Sequence, residues 1–116
     1  IEIKPDFSKE LLKKLLKETS KFSKCVFISF KHENIYNLLK IKSNTKVGLS
    51  FSPPTTIKTI VKKSNNKKID CLILDKFFLK NKIIQDLKIK KYYYTIKKKS
   101  EFIKYSKNNN LIFEYL

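Results

Sequence analysis

The chain opens IEIKP, in which Ile1 and Ile3 alternate with Glu2 and Lys4 ahead of Pro5. Successive side chains of an extended strand point to opposite faces, so Glu2 and Lys4 share one side and the isoleucines the other. A carboxylate so placed can ligate a hard divalent cation, and an ammonium beside it can hold a phosphate oxygen. The same two residues also read as a solvated ion pair on an edge strand. His32 is the single histidine, and an imidazole suits proton transfer near neutral pH. The run KHEN, however, directly precedes a helical pattern, so His32 reads as an exposed first-turn residue with no catalytic role.

These residues have to be held by an alternation of short apolar runs and amphipathic stretches. Ile1 to Lys4, Cys25 to Phe30, Lys46 to Phe51, Ile69 to Leu74 and Lys91 to Ile96 read as strands, with LIFEYL (Leu111 to Leu116) as a sixth. Between them, apolar residues recur at helical spacing. Ser8 caps a helix to about Ser20 that carries Leu11, Leu12, Leu15 and Leu16; the next, His32 to Ile41, carries Ile35, Leu38 and Leu39. Pro53 and Pro54 open a third, with Ile57, Ile60 and Val61. Leu79 to Leu87, with Ile83, Ile84 and Leu87 inward, and Ser100 to Lys107, with Phe102 and Ile103 inward, complete five helices.

Strands that are apolar nearly throughout, separated by amphipathic helices, indicate a parallel sheet covered by helices. Two architectures satisfy this, part of a (β/α)8 barrel and a small open parallel α/β sheet. In either, the working edge lies at the carboxyl ends of the strands. That edge collects Glu2 and Lys4, then Ser29, Phe30 and His32, then Ser50 and Ser52, then Asp75 and Lys76, then Thr95, and finally Glu114. One glycine in the whole chain cannot build a phosphate-cradling loop, and neither GxGxxG nor GxxxxGK[ST] occurs, which removes dinucleotide and P-loop readings.

The formal charge of +17 arises from 27 basic residues against 10 acidic ones. Every basic residue is Lys, and the chain lacks Arg, Ala and Trp while abounding in Lys, Asn, Ile, Phe and Tyr. Codons rich in A and T specify most of these, so the charge follows from an AT-rich genome without a binding role. Arg is the side chain that reads guanine bidentately, and its absence argues against a dedicated nucleic-acid reader. The tyrosines of KYYYTI cannot all face one groove from a strand, so alternate rings are expected in the core with lysines covering the exterior. Cys25 and Cys71 lie in apolar runs without metal or redox spacing and read as buried small hydrophobes. No apolar run reaches the length of a membrane span and the first residues do not form a signal peptide. These features imply a soluble, cytoplasmic chain.

The order of several segments resembles the C-terminal half of glycerophosphodiester phosphodiesterases. A strand with the Glu-Ile-Lys motif and Pro next is followed by one ending in Ser-Phe and one reading Lys-x-Gly-Leu: here Glu2, Ile3, Lys4, Pro5; Ser29, Phe30; and Lys46, Val47, Gly48, Leu49. The resemblance spans essentially all 116 residues. It implies a partial barrel domain over residues 1–116 of an enzyme that hydrolyses glycerophosphodiesters to an alcohol and glycerol 3-phosphate with Mg or Ca. By that similarity Glu2 is a metal ligand, Lys4 binds phosphate, Phe30 lines the substrate pocket, and Tyr94 stands as an aromatic wall where the family has Trp-Thr. The family's catalytic histidines, in a His-Arg-Gly strand and a His-Asp element, and its Glu-x-Asp metal ligands lie upstream of this region. The first Ser of the family's Ser-Ser-Phe run is Ile28 here, and its terminal Thr-Asp is replaced within LIFEYL, with Glu114 an approximate substitute. The segment alone is therefore expected to be inactive until the N-terminal half of the same barrel completes it. The alternatives are a non-catalytic or degenerate relative, and a small basic nucleic-acid-binding module.

Overall fold

A computed structural model describes residues 1–114. It is an α/β fold with the order α1 (Lys9–Thr19), β1 (Phe27–Ser29), α2 (His32–Ile41), β2 (Val47–Ser50), α3 (Ile57–Ser64), β3 (Cys71–Asp75), a 3-10 turn (Lys76–Lys80), α4 (Lys82–Gln85), β4 (Lys90–Ile96), α5 (Lys99–Tyr105) and β5 (Asn110–Phe113). The five strands form one parallel sheet in sequence order, β1-β2-β3-β4-β5. The opening segment extends this order by one place. Glu2 bridges Ile28 in parallel, Ile3 N–H donates to the Ile28 carbonyl at 2.8 Å, and Ile28 N–H donates to the Ile1 carbonyl at 2.8 Å. Only this bridge forms where a strand over Ile1 to Lys4 was expected, because the chain turns away at Pro5, whose ring nitrogen has no hydrogen to extend the ladder.

The sequential order decides where the helices go. A right-handed crossover is nearly invariant for parallel neighbours, and repeating it without reversing the strand order carries every helix to one face. The core agrees with this geometry. Leu12, Ile35, Leu38, Leu39, Ile60, Phe78 and Ile84 pack with Phe27, Val47, Leu49, Leu72, Leu74 and Tyr93 in one cluster, which contains only one side of each strand. Register places Ile28, Gly48, Cys71 and Lys90 abreast on the opposite side, followed by Ile73 and Tyr92. Among the described residues no helix residue lines the groove on that side, where Val26 and Ile112 remain 39% and 38% exposed although Cys71 and Ile73 are buried. Ile28, Cys71, Ile73 and Tyr92 line a shallow apolar groove there of about 440 Å³.

Local chemistry sets the element ends. Ser8 caps α1 as expected, its hydroxyl accepting from Leu11 N–H at 3.2 Å. The third helix starts later than expected. Pro53 and Pro54 lie in a turn, and Thr56 caps at Ile57, since a residue preceding proline disfavours the helical region and Thr56 offers a cap that neither proline can. The stretch expected as one helix over Leu79 to Leu87 breaks into the 3-10 turn and α4, because Asn81 leaves the helical region to accept from Ile84 N–H. Leu11, Ile83 and Ile103 are exposed rather than inward. Tyr93 alone of the three tyrosines enters the core, at 1% exposure, while Tyr92 and Tyr94 stand half-buried on the other side of the strand. The final apolar stretch forms β5 as far as Phe113, and its last two residues, Tyr115 and Leu116, lie outside the described residues.

Gly48 is required by close approach rather than by its backbone angles. A Cβ there would sit 2.5 Å from Cys71 Sγ, 3.1 Å from the Cys71 carbonyl oxygen and 3.1 Å from Ile28 Cγ2. Gly48→Ala is expected to destabilise the protein by about 1–3 kcal/mol. Adding Cys71→Ala should recover part of that loss by removing the nearest atom. Denaturant midpoints of the two single variants and the double variant measure the coupling.

Candidate functional site at the carboxyl ends of the strands

All five strands run the same way, so the segments that follow them gather at one edge. Two buried polar side chains fasten the opening segment to it. Ser29, fully buried, donates its hydroxyl to the Ile3 carbonyl and accepts from Lys31 N–H. Asn34, 2% exposed, accepts from Phe7 N–H at 3.0 Å and donates to the Pro5 carbonyl at 2.8 Å. Asn34 thereby holds both sides of the turn that takes the chain into α1. It escaped the sequence reading because its partners lie 27 and 29 residues away.

Glu2, through its bridge to Ile28, belongs to the uncovered side of the sheet, and Ile3 packs into the core at 2% exposure. Glu2 and Lys4 are both exposed. Neither takes part in an ion pair among the described residues, so the solvated-pair reading is not formed. Phe30, expected to line the substrate pocket, and Tyr94, expected as an aromatic wall, lie against each other. Their rings pack edge to face with centroids 6.0 Å apart and planes at 88°. Three interstrand steps separate β1 from β4, about 14 Å at ordinary spacing, so the two rings reach toward each other across the ends of β2 and β3. The Tyr94 hydroxyl donates to the Phe51 carbonyl at 2.7 Å and closes this arch. Burial, aided by the nearby Asp75 charge, pushes the Tyr94 phenol up, which keeps its proton available for that bond.

His32 departs from the expectation of an exposed residue. It opens α2 half-buried, with its ring edge-on to Phe51 at 4.8 Å between centroids. Its Nε2 lies 2.7 Å from the Ser50 carbonyl and its Nδ1 lies 2.6 Å from Lys63 Nζ. A carbonyl can only accept and an ammonium can only donate, so the ring is the neutral tautomer with its proton on Nε2. Burial is the main cause that lowers its pKa below 6.5; the Ser50 carbonyl opposes this and the Lys63 charge adds to it. Both ring nitrogens are thereby engaged. A polar cleft of about 320 Å³ opens beside it, lined by Phe30, Ser50, Phe51, Ser52, Thr55, Thr59 and Lys63 as well as His32. The Ser50 hydroxyl is buried without a partner among the described residues. No signal in the sequence pointed to Lys63, since the pairing joins α2 to α3 across 31 residues.

Among the described residues no three His, Cys, Asp or Glu side chains converge, and no helix is long and apolar enough to cross a membrane. Both cysteines are free, Cys25 half-buried and Cys71 buried. No protein-family model matches the chain, and no curated protein matches it either.

Asn34→Ala should loosen the opening segment selectively. Amide exchange at Ile3 and Phe7 is expected to accelerate toward that of exposed backbone while Leu72 in β3 stays protected. The lowered pKa of His32 sets a sign for pH dependence. The unfolded chain takes up a proton near pH 6.5 that the folded chain resists, so stability is present above that pH and falls as pH drops below it. Denaturation at neutral and mildly acidic pH should show this loss, and His32→Gln should flatten it.

Proposed function

We propose that this chain forms the carboxyl-terminal part of a (β/α)8 barrel of the glycerophosphodiester phosphodiesterase type. The observation that carries the reading is the uncovered face. Strands in sequence order with their helices on one side are also the arrangement of a sector of a barrel wall, whose other side packs the barrel interior, and this supports the reading beside the open parallel sheet.

Within this reading the carboxyl edge binds a glycerophosphodiester. Lys4 holds a phosphate oxygen, and the Phe30–Tyr94 arch forms the wall against which the substrate lies. Glu2 offers one carboxylate to a divalent cation. Such an ion takes six or more oxygen ligands, and among the described residues no cluster of acids comes to Glu2. These residues do not build a metal centre by themselves, so the remaining ligands and the groups that move protons belong to the other part of the barrel. Ile28, where the family has Ser, leaves a degenerate, non-catalytic relative as the second reading; its side chain lines the groove on the uncovered face.

The test takes the protein encoded by the whole open reading frame. It should release glycerol 3-phosphate from glycerophosphocholine in Mg or Ca, and Glu2→Gln should reduce that rate by roughly a hundredfold or more with the fold retained. A reading frame whose upstream part lacks His-Arg-Gly, Glu-x-Asp and His-Asp, or a Glu2→Gln variant as active as the wild type, would sink the enzyme reading.

A further inference from the structure

The cleft beside His32 is separate from Glu2 and Lys4, neither of which lines it. Its lining has an unusual balance of hydrogen-bonding groups. Ser52, Thr55 and Thr59 contribute three hydroxyls, those of Ser52 and Thr55 lying 3.4 Å apart, and Lys63 an ammonium, whereas no Asp, Glu, Asn or Gln is present. A sugar or another polyol needs side-chain acceptors for its own hydroxyls, and here it would find few. An anion needs donors, and Lys63, Thr59 and one of the Ser52–Thr55 pair can supply them.

Lys63 is held in place to act in this way. One of its three N–H groups points to His32 Nδ1, and the imidazole cannot turn away because Nε2–H is tied to the Ser50 carbonyl. The other two N–H groups are left to meet an anion. Thr59 is similarly oriented. Its hydroxyl accepts from the Thr56 hydroxyl at 2.9 Å, which leaves its own hydrogen to donate. Phe30, 46% exposed, adds apolar ring surface to the same cleft.

From this geometry we propose that the cleft binds a phosphate monoester carried on a small apolar or aromatic group, with Lys63 and the hydroxyls on the phosphate and the Phe30 ring against the organic part. A dianion with three terminal oxygens uses more of the available donors than a carboxylate with two. The inference does not rest on the barrel reading, since every group it uses comes from β2, α2, α3 and the segments joining them.

His32 reports on this site directly, because it is the only histidine and one of its nitrogens faces Lys63. With pH held above neutrality and ionic strength constant, titration of the protein with phenyl phosphate should give a saturable shift of the imidazole NMR signals. Inorganic phosphate should shift them in the same direction but bind about tenfold more weakly, for want of the ring contact. Lys63→Gln should weaken phenyl phosphate binding by about tenfold or more. Thr59→Val, which keeps Lys63 and the fold, should also weaken it, and that result stands if the lysine variant is unstable. No saturation with phenyl phosphate, equal affinity for benzoate, or wild-type affinity in Thr59→Val would overturn the proposal.

Discussion

Parallel neighbours cannot be joined by a tight turn, and this constraint shapes the whole molecule. Each strand must be followed by a crossover long enough to return the chain to its starting edge, and the crossover must lie on a face. With the strands laid down in sequence order, the crossovers all take the same face, and the core forms only there. The opposite face keeps its apolar residues because the strands are short and their alternation serves both sides. The groove over Ile28, Cys71, Ile73 and Tyr92 follows from topology, with no special residue needed to make it.

The same constraint builds the edge at which chemistry is possible. Loops after parallel strands have no choice but to collect together, so residues distant in sequence become neighbours. Phe30, Phe51 and Tyr94 close an arch through one ring contact and one hydrogen bond. His32, Ser50 and Lys63 form a second connected set, in which a backbone carbonyl fixes the tautomer and the tautomer fixes where an ammonium points. Phe51 belongs to both, through its carbonyl in one and its ring in the other. A change at the end of β2 therefore reaches the aromatic wall and the polar cleft at once.

The large positive charge contributes little to holding this together. Among the described residues, the ion pairs Lys31–Asp6, Lys46–Asp70 and Lys82–Asp86 are largely solvated and worth little individually. The informative lysines are those placed by neighbours. Lys91 caps the end of α4 by donating to the carbonyls of Gln85, Leu87 and Ile89, and burial lowers its pKa. Lys63 is placed by His32. Composition accounts for most of the other lysines, which lie exposed on the surface.

By itself the sequence determined the alternation of strands and helices, the Ser8 cap, the alternation of the three tyrosines between the two sides of their strand, and the shared side of Glu2 with the face away from Ile3. These depend on periodicity and on side chains acting on backbone within a few residues, so a single segment carries the information. Only the tertiary structure decided the strand order, the single covered face, the fastening of the opening segment by Asn34 and Ser29, and the pairing of His32 with Lys63. Each of these joins segments between 18 and 31 residues apart or more. At that range a residue's type does not reveal its partner, because the partner is chosen by which elements the crossovers bring together. Even the turn at Pro53 and Pro54 and the break at Asn81 were settled by competing caps, where two local preferences conflict and periodicity cannot choose between them.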